Sequence, residues 1–334
     1  MKLSKPPPSD STIPPAPLRP QSFYLKTLLA WGVKIGLSMV ALWLVFAKVD
    51  ISAAFEAIKT QDPYWLLLGS VLILAQITVG TLRWQRILRG LNVICSPLRV
   101  AIFYYISIFF NTCLPGGVGG DVIRAWMTSR ATSRASLVVN SIFLDRLATL
   151  AGLAIIVIVT EPQLAQRLNN SFPTWILSLG SLTGLFGLMM IAFLEKLPLR
   201  RLKFLKFFLG LGESCRKIFW RPQFAIPTFI YAISTQICMS MSVYVLAKSL
   251  NLNISVMDCL VFMPPVALLA ALPISLGGWG IREAAMVSFL GLVGVSASEA
   301  LILSIQFGLV TIAVSLPGGF LWLVYREAKP QGMR

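Results

Sequence analysis

Histidine is absent from the 334 residues, and acids are scarce, with 13 Asp and Glu against 29 Lys and Arg. The missing imidazole excludes histidine acid–base chemistry, serine triads built on histidine and the usual zinc sites. Cysteine is sparse too: Cys95, Cys113, Cys215, Cys238 and Cys259, with no CxxC pair among them. An odd, widely spaced set supports neither a metal knuckle nor a disulfide framework, and reads as inert buried thiols. No cofactor and no metal is expected.

Charged residues make up only 13% of the chain and apolar ones 56%, against roughly 25% and 45–50% in soluble domains. A soluble fold of this length could not hide so much apolar surface. The expected class is an all-α polytopic membrane protein. Its net charge of +16 is then first a topology signal. Nucleic acid is not an expected partner, because the bases flank apolar runs and form no domain of their own.

The first twenty residues hold seven prolines and no apolar run, so residues 1–25 are expected to form a disordered cytoplasmic tail and not a secretory leader. Residues 26–326 form the membrane domain, and 327–334 a short cytoplasmic tail. Apolar segments near the ~20 residues that a bilayer requires predict spans at 27–47, 64–82, 135–160, 174–194, 223–249 and 300–325. Two further stretches are short or broken. One, 100–114, runs into a glycine-rich loop. The other, 256–276, contains Pro264, Pro265 and Pro273 and precedes a short apolar helix at 281–293. Both are expected to be re-entrant.

Loop 195–222 carries eight bases against Glu195 and Glu213, and 83–99 carries Arg83, Arg86, Arg89 and Arg99 with no acid. The basic loops fall on one side only if 100–114 does not span. The expectation is therefore about six full spans, two re-entrant Gly/Pro-broken hairpins (eight apolar segments) and both termini cytoplasmic in a cell membrane. Arg83 and Arg86 read as cytoplasmic surface residues.

A self-match carries most of the functional signal. Residues 114–124 align without gaps on 272–282, sharing Leu, Pro, Gly-Gly, Ile and Arg, six of eleven positions. Three spans separate the copies, so the second is inverted, the pattern of inverted-repeat transporters with a site near the bilayer midplane. Each copy supplies a glycine turn, Gly119-Gly120 or Gly277-Gly278, then a helix start bearing Arg124 or Arg282. Helix N-termini and arginine both suit phosphate. The plainer reading has the glycines only fold the hairpins, Asp121 only cap its helix and the arginines only snorkel.

Asp145 and Arg146 sit inside the third span, where each costs about 2.5–3.5 kcal/mol unpaired on insertion scales. As sequence neighbours they point about 100° apart and do not simply satisfy each other. Arg146 is expected to meet a lipid phosphate or Asp121, and Asp145 to answer Arg124 or Arg282; a purely structural ion-pair network is the alternative. Asn111 caps freed backbone groups or faces the cavity.

The segment Asn111–Arg124, with Leu-Pro followed by Gly-Gly-Asp-x-x-Arg, resembles the first signature of the flippase-like integral membrane region of lysylphosphatidylglycerol synthases. Leu144-Asp145-Arg146-Leu147 is similar to that family's acidic-Arg pair, and Gly277–Ala285, with Arg282 and Glu283, to its second signature. The resemblance covers about residues 25–325. It implies movement of an amphipathic lipid between leaflets: an anionic phospholipid, a polyprenyl-phosphate lipid or a glycolipid. The soluble aminoacyltransferase domain of the full synthases has no room within these residues, so synthase chemistry is not expected. Two other classes remain in view. One is a membrane enzyme on a lipid phosphate, with Asp121, Asp145 or Glu283 as base or metal ligand. The other is a scaffold for a lipid-modifying enzyme or glycosyltransferase.

Overall fold

The computed structural model describes residues 62–113, 119–167, 175–193, 205–270 and 280–327. Among them every regular element is a helix: α1 (Pro63–Gly90), α2 (Pro97–Cys113), α3 (Gly119–Thr132), α4 (Ala135–Arg167), α5 (Trp175–Phe193), α6 (Leu205–Phe219), α7 (Pro222–Ser249), α8 (Val256–Ala270), α9 (Ile281–Gly291) and α10 (Ala297–Glu327). Helices α1, α4, α7 and α10 are long and apolar enough to cross a bilayer. Many large apolar side chains on these helices and on α5 point outward, among them Leu67, Leu182, Phe186, Ile230, Leu309 and Phe320. Such a belt suits lipid and not water. This is a multi-pass membrane protein. The expected tail, the expected span at 27–47 and most of both glycine loops lie outside the described residues.

Four helices on each side of α5 and α6 repeat one plan. A long helix ends in a Leu-Asn turn, with Asn92 at φ 56° in the first half and Asn251 at φ 57° in the second. In both turns the residue after the asparagine donates its N–H five residues back, Val93 to Leu88 and Leu252 to Ala247. This closure satisfies helix-end carbonyls, and asparagine tolerates the left-handed backbone it needs. Four residues past each asparagine a serine caps the next helix. Ser96 Oγ accepts from Arg99 N, and Ser255 Oγ from Asp258 N. Two short helices and a second long one follow. The repeat is therefore α1–α4 against α7–α10, longer than the eleven-residue match in the sequence.

The packing is reciprocal. Helix α2 lies on α10 and α8 lies on α4, so the first arm of each hairpin is held by the other half's last helix, while the second arms, α3 and α9, pack on their own half's last helix. The first long helices, α1 and α7, pack against each other along their length. A Cβ on Gly69 would meet Leu246, and one on Gly90 would meet Phe224. The start of one helix thus touches the end of the other, and the two run antiparallel. Each half also has its own buried core: Trp84, Ile87, Phe103, Ile106 and Leu144 in the first, Val243, Leu246, Cys259, Met286 and Leu303 in the second.

Two expectations need correction. Pro264 and Pro265 do not break the chain, since α8 runs unbroken through them. Both prolines are buried, and tertiary packing outweighs the lost backbone bonds. Loop 195–222 contains a helix, α6, which buries Leu211, Cys215 and Ile218 at helical spacing against the first core. The bases around it hid that stripe.

Close approach is built from glycine at specific points. A Cβ on Gly120 would stand 1.9 Å from the Ser107 carbonyl oxygen, so only glycine lets α3 start against α2. Gly318 and Gly319, in the interior of α10, bring it against α2, where a Cβ on Gly318 would stand 2.6 Å from the Tyr105 carbonyl oxygen. There Tyr105 donates its hydroxyl to the Val314 carbonyl, just ahead of Pro317.

Candidate functional site

A cavity of about 320 Å³ opens between the two halves. Its wall is drawn from the middle of the long helices: Ile73, Gln76 and Ile77 of α1, Asp145, Arg146 and Thr149 of α4, Thr235 and Gln236 of α7, Gly308 and Thr311 of α10. In α1 this is some thirteen residues from either end, or ~20 Å at 1.5 Å per residue. The hairpins complete the wall with Ser107, Asn111, Asp121 and Arg124 from the first and Arg282 from the second.

Each half's arginine reaches this one cavity. Arg124 is almost fully buried and binds two acids, Asp121 at 3.0 Å and Asp145 at 3.1 Å. Its guanidinium also lies over the rings of Trp84 and Tyr104, 4.5 and 5.0 Å from their centroids. That stacking suits a planar, weakly hydrated cation. Arg146 binds Asp121 at 2.6 Å, with half of its own side chain exposed. Asp145 and Arg146 turn to different partners, as their helical spacing requires. Arg282 binds Glu283 at 2.6 Å and Ser304 at 3.2 Å. Ser304 on α10 occupies the place that Asp145 holds on α4, so the two halves share a scaffold and differ in charge.

Glu283 is fully buried and accepts from the Gly280 N–H, where the backbone has φ 85°, as well as from Arg282 and the Ser304 hydroxyl. It closes the helix start as the residue three positions into a capping box does. Asn111 accepts from the Gly120 N–H at 2.9 Å and also lines the cavity, so it caps and faces the site at once. Gly119 opens α3. Gly277 and Gly278 lie outside the described residues. Asp121 is more than a helix cap: its carboxylate joins Arg124 on its own helix to Arg146 on α4.

Arg83 is the residue that sequence reasoning placed wrongly. Instead of sitting at a surface, it is 3% exposed, donates from Nε to Asp145 at 2.8 Å and lines the cavity. Its signal was the buried stripe Ile73, Ile77, Gly80, Arg83, Ile87, which recurs at helical spacing along α1. Arg83, Arg124 and Arg146 against Asp121 and Asp145 make an alternating chain of five charges that joins α1, α3 and α4. Buried charges survive only when paired in this way, and the chain can equally hold helices together or present a cation to a ligand.

The lysylphosphatidylglycerol synthase TM region is the family that matches this chain, over residues 31–319. A UPF0104 membrane protein of Methanothermobacter thermautotrophicus is 33% identical over 97 residues, which is 28% of this chain and 28% of that protein. A second UPF0104 membrane protein, from Pyrococcus horikoshii, is 25% identical over 103 residues, 30% of each chain. The match thus spans less than a third of the length of these curated relatives.

Proposed function

We propose that this chain, which belongs to the lysylphosphatidylglycerol synthase transmembrane-region family, moves a phosphate-bearing lipid between bilayer leaflets, with the headgroup held in the mid-length cavity. The observation that carries the reading is the meeting of Arg124 and Arg282, matched residues of two inverted halves, at one cavity midway along four bilayer-length helices. Inverted halves that share a central site are the architecture of alternating access, in which one half rocks against the other around the bound cargo. Arg124, Arg146 and Arg282 hold the phosphate. Asp121, Asp145 and Glu283 orient those arginines, while Asn111 and the glycines of both turns shape the cradle. The acyl chains stay in the bilayer beside the opening. Six spans, two re-entrant hairpins and cytoplasmic termini in a cell membrane complete the proposal.

The test is transbilayer movement of tail-labelled anionic phospholipids and isoprenoid phosphates by the full chain in vesicles. The expected result is movement that Arg282→Gln slows at least tenfold while the variant remains folded. If no lipid in such a panel moves, translocation is wrong. If folded Arg124→Gln and Arg282→Gln variants both move lipid at the normal rate, the phosphate seat is wrong.

A further inference from the structure

The arginines and acids form only part of the cavity wall. Two amides and four threonines also line it: Gln76, Gln236, Thr112, Thr149, Thr235 and Thr311. Gln236 is only 4% exposed, yet its amide makes no side-chain hydrogen bond among the described residues. Gln76, on the antiparallel helix α1, is half-buried, and its amide makes none either. A buried amide in that state is costly unless a ligand or water completes it.

The threonines show what kind of partner the wall requires. Each commits its one proton to its own helix. Thr112 donates to the Ile108 carbonyl, Thr149 to that of Asp145, Thr235 to that of Ala232 and Thr311 to that of Phe307, at distances of 2.7 to 2.8 Å. Thr235 also accepts from Arg83. The oxygens of Thr112, Thr149 and Thr311 can therefore only accept. A phosphodiester anion has no proton to give them. An ammonium donates but has no lone pair for the amide N–H groups of Gln76 and Gln236. A hydroxyl both donates and accepts, and so completes threonines and amides alike.

We propose that this wall recognises the free hydroxyls of a polyol or sugar headgroup, carried on a diacylglycerol or an isoprenoid anchor. This rests on the translocation reading. The phosphate lies at the arginines while the headgroup hydroxyls meet Gln236, Gln76 and the threonine oxygens. A site built in this way rejects an analogue without hydroxyls, because its own buried polar groups are then left unpaired. The cavity's size of about 320 Å³ is at the small end for ligand pockets, which suits a headgroup without its lipid chains.

The experiment uses the full chain in phosphatidylcholine vesicles with tail-labelled probes, paired so that phosphate and charge are constant. Phosphatidylglycerol is set against phosphatidylmethanol, and an isoprenoid phosphohexose against the methyl phosphodiester of the same isoprenoid. Phosphatidylethanolamine supplies donors without acceptors. Retention of the same lipids on the purified chain, read by native mass spectrometry, reports preference independently of movement. In at least one pair the hydroxylated lipid is expected to lead by about tenfold, the order that one or two net hydrogen bonds give; the pair that shows the lead identifies the anchor. Gln236→Leu removes an unpartnered amide and should cut that lead at least threefold, and Gln76→Leu repeats this arm should the first variant misfold. No lead in either pair, a lead that folded Gln236→Leu and Gln76→Leu proteins both keep, or phosphatidylethanolamine held as well as phosphatidylglycerol would overturn this inference, with translocation left standing wherever the probes move. Hydroxyl-selective retention that Gln236→Leu abolishes, without movement of any probe, would support the inference and overturn translocation.

Discussion

Replacing Asp145 with asparagine tests the buried charge chain with least change of shape. Asp145 is 3% exposed, and its carboxylate takes Arg83 at 2.8 Å and Arg124 at 3.1 Å. Asparagine keeps the volume and one acceptor oxygen but raises the five-charge chain from a net +1 to +2. Breaking a buried pair from one side costs about 3–5 kcal/mol, because the partner is left charged and unmatched. Both arginines border the cavity, where water can enter, so the lower end, ~3 kcal/mol, is expected. That lowers the folding equilibrium by more than a hundredfold, since ~1.4 kcal/mol is a factor of ten. The double variant Asp145→Asn/Arg83→Gln restores the balance and should cost less than the sum of its single variants by about 1–3 kcal/mol. Unfolding by increasing dodecyl sulfate in mixed micelles, followed by tryptophan fluorescence, measures all four proteins. The exposed pair Lys217–Glu213, with side chains 42% and 49% exposed, is the internal control and is worth no more than ~0.5 kcal/mol. An Asp145→Asn protein within ~0.5 kcal/mol of the parent, or strict additivity of the two substitutions, would refute the chain as an energetic unit.

Other expectations follow from single contacts. Gly120→Ala forces a Cβ to within 1.9 Å of the Ser107 carbonyl oxygen, so the hairpin must open; a cost above ~3 kcal/mol and loss of the monodisperse elution peak are expected. Asn111→Ala leaves the Gly120 N–H without its 2.9 Å acceptor, and should cost about 1–3 kcal/mol, whereas Asn111→Asp keeps an acceptor and should cost less in the same unfolding assay. Burial pushes the Cys215 thiol up to about 12, so its thiolate fraction at pH 8 is on the order of 10⁻⁴. Maleimide should therefore miss Cys215 in the folded protein and label it after denaturation. The Cys95 thiol is also raised, by partial burial against the opposing pull of Arg99. A raised thiol is protonated over more of the pH range, so its labelling should climb steadily as pH rises past 9, as mass spectrometry of the labelled peptide would show.

Much of the site was legible in the sequence because it is repeated there. The match of 114–124 to 272–282 singled out Arg124 and Arg282, and the expense of intramembrane charge singled out Asp145 and Arg146. Arg83 escaped because an arginine near the end of an apolar run satisfies the positive-inside rule without entering a pocket. The rest of the repeat escaped for another reason: Leu91, Asn92 and Ser96 against Leu250, Asn251 and Ser255 are only three shared residues, and the likeness of the two turns lies in backbone angles. Local sequence can even mislead. Leu-Pro-Gly-Gly, which at 114–117 reads as the opening of a turn, recurs at 316–319, where it lies within the continuous helix α10. There tertiary packing overrides the turn signal, since Gly318 and Gly319 are packed against Tyr105 and Phe109 of α2.

The central claim is that lipid headgroups pass through the cavity between the halves. Thr311 lines it from the middle of α10, and Thr311→Cys in a background without the five native cysteines gives one addressable position. The measurement is transbilayer movement of labelled phosphatidylglycerol before and after that position is filled by a bulky maleimide. Movement that persists before labelling and stops after it is the predicted result. An unchanged rate after complete labelling would contradict the account.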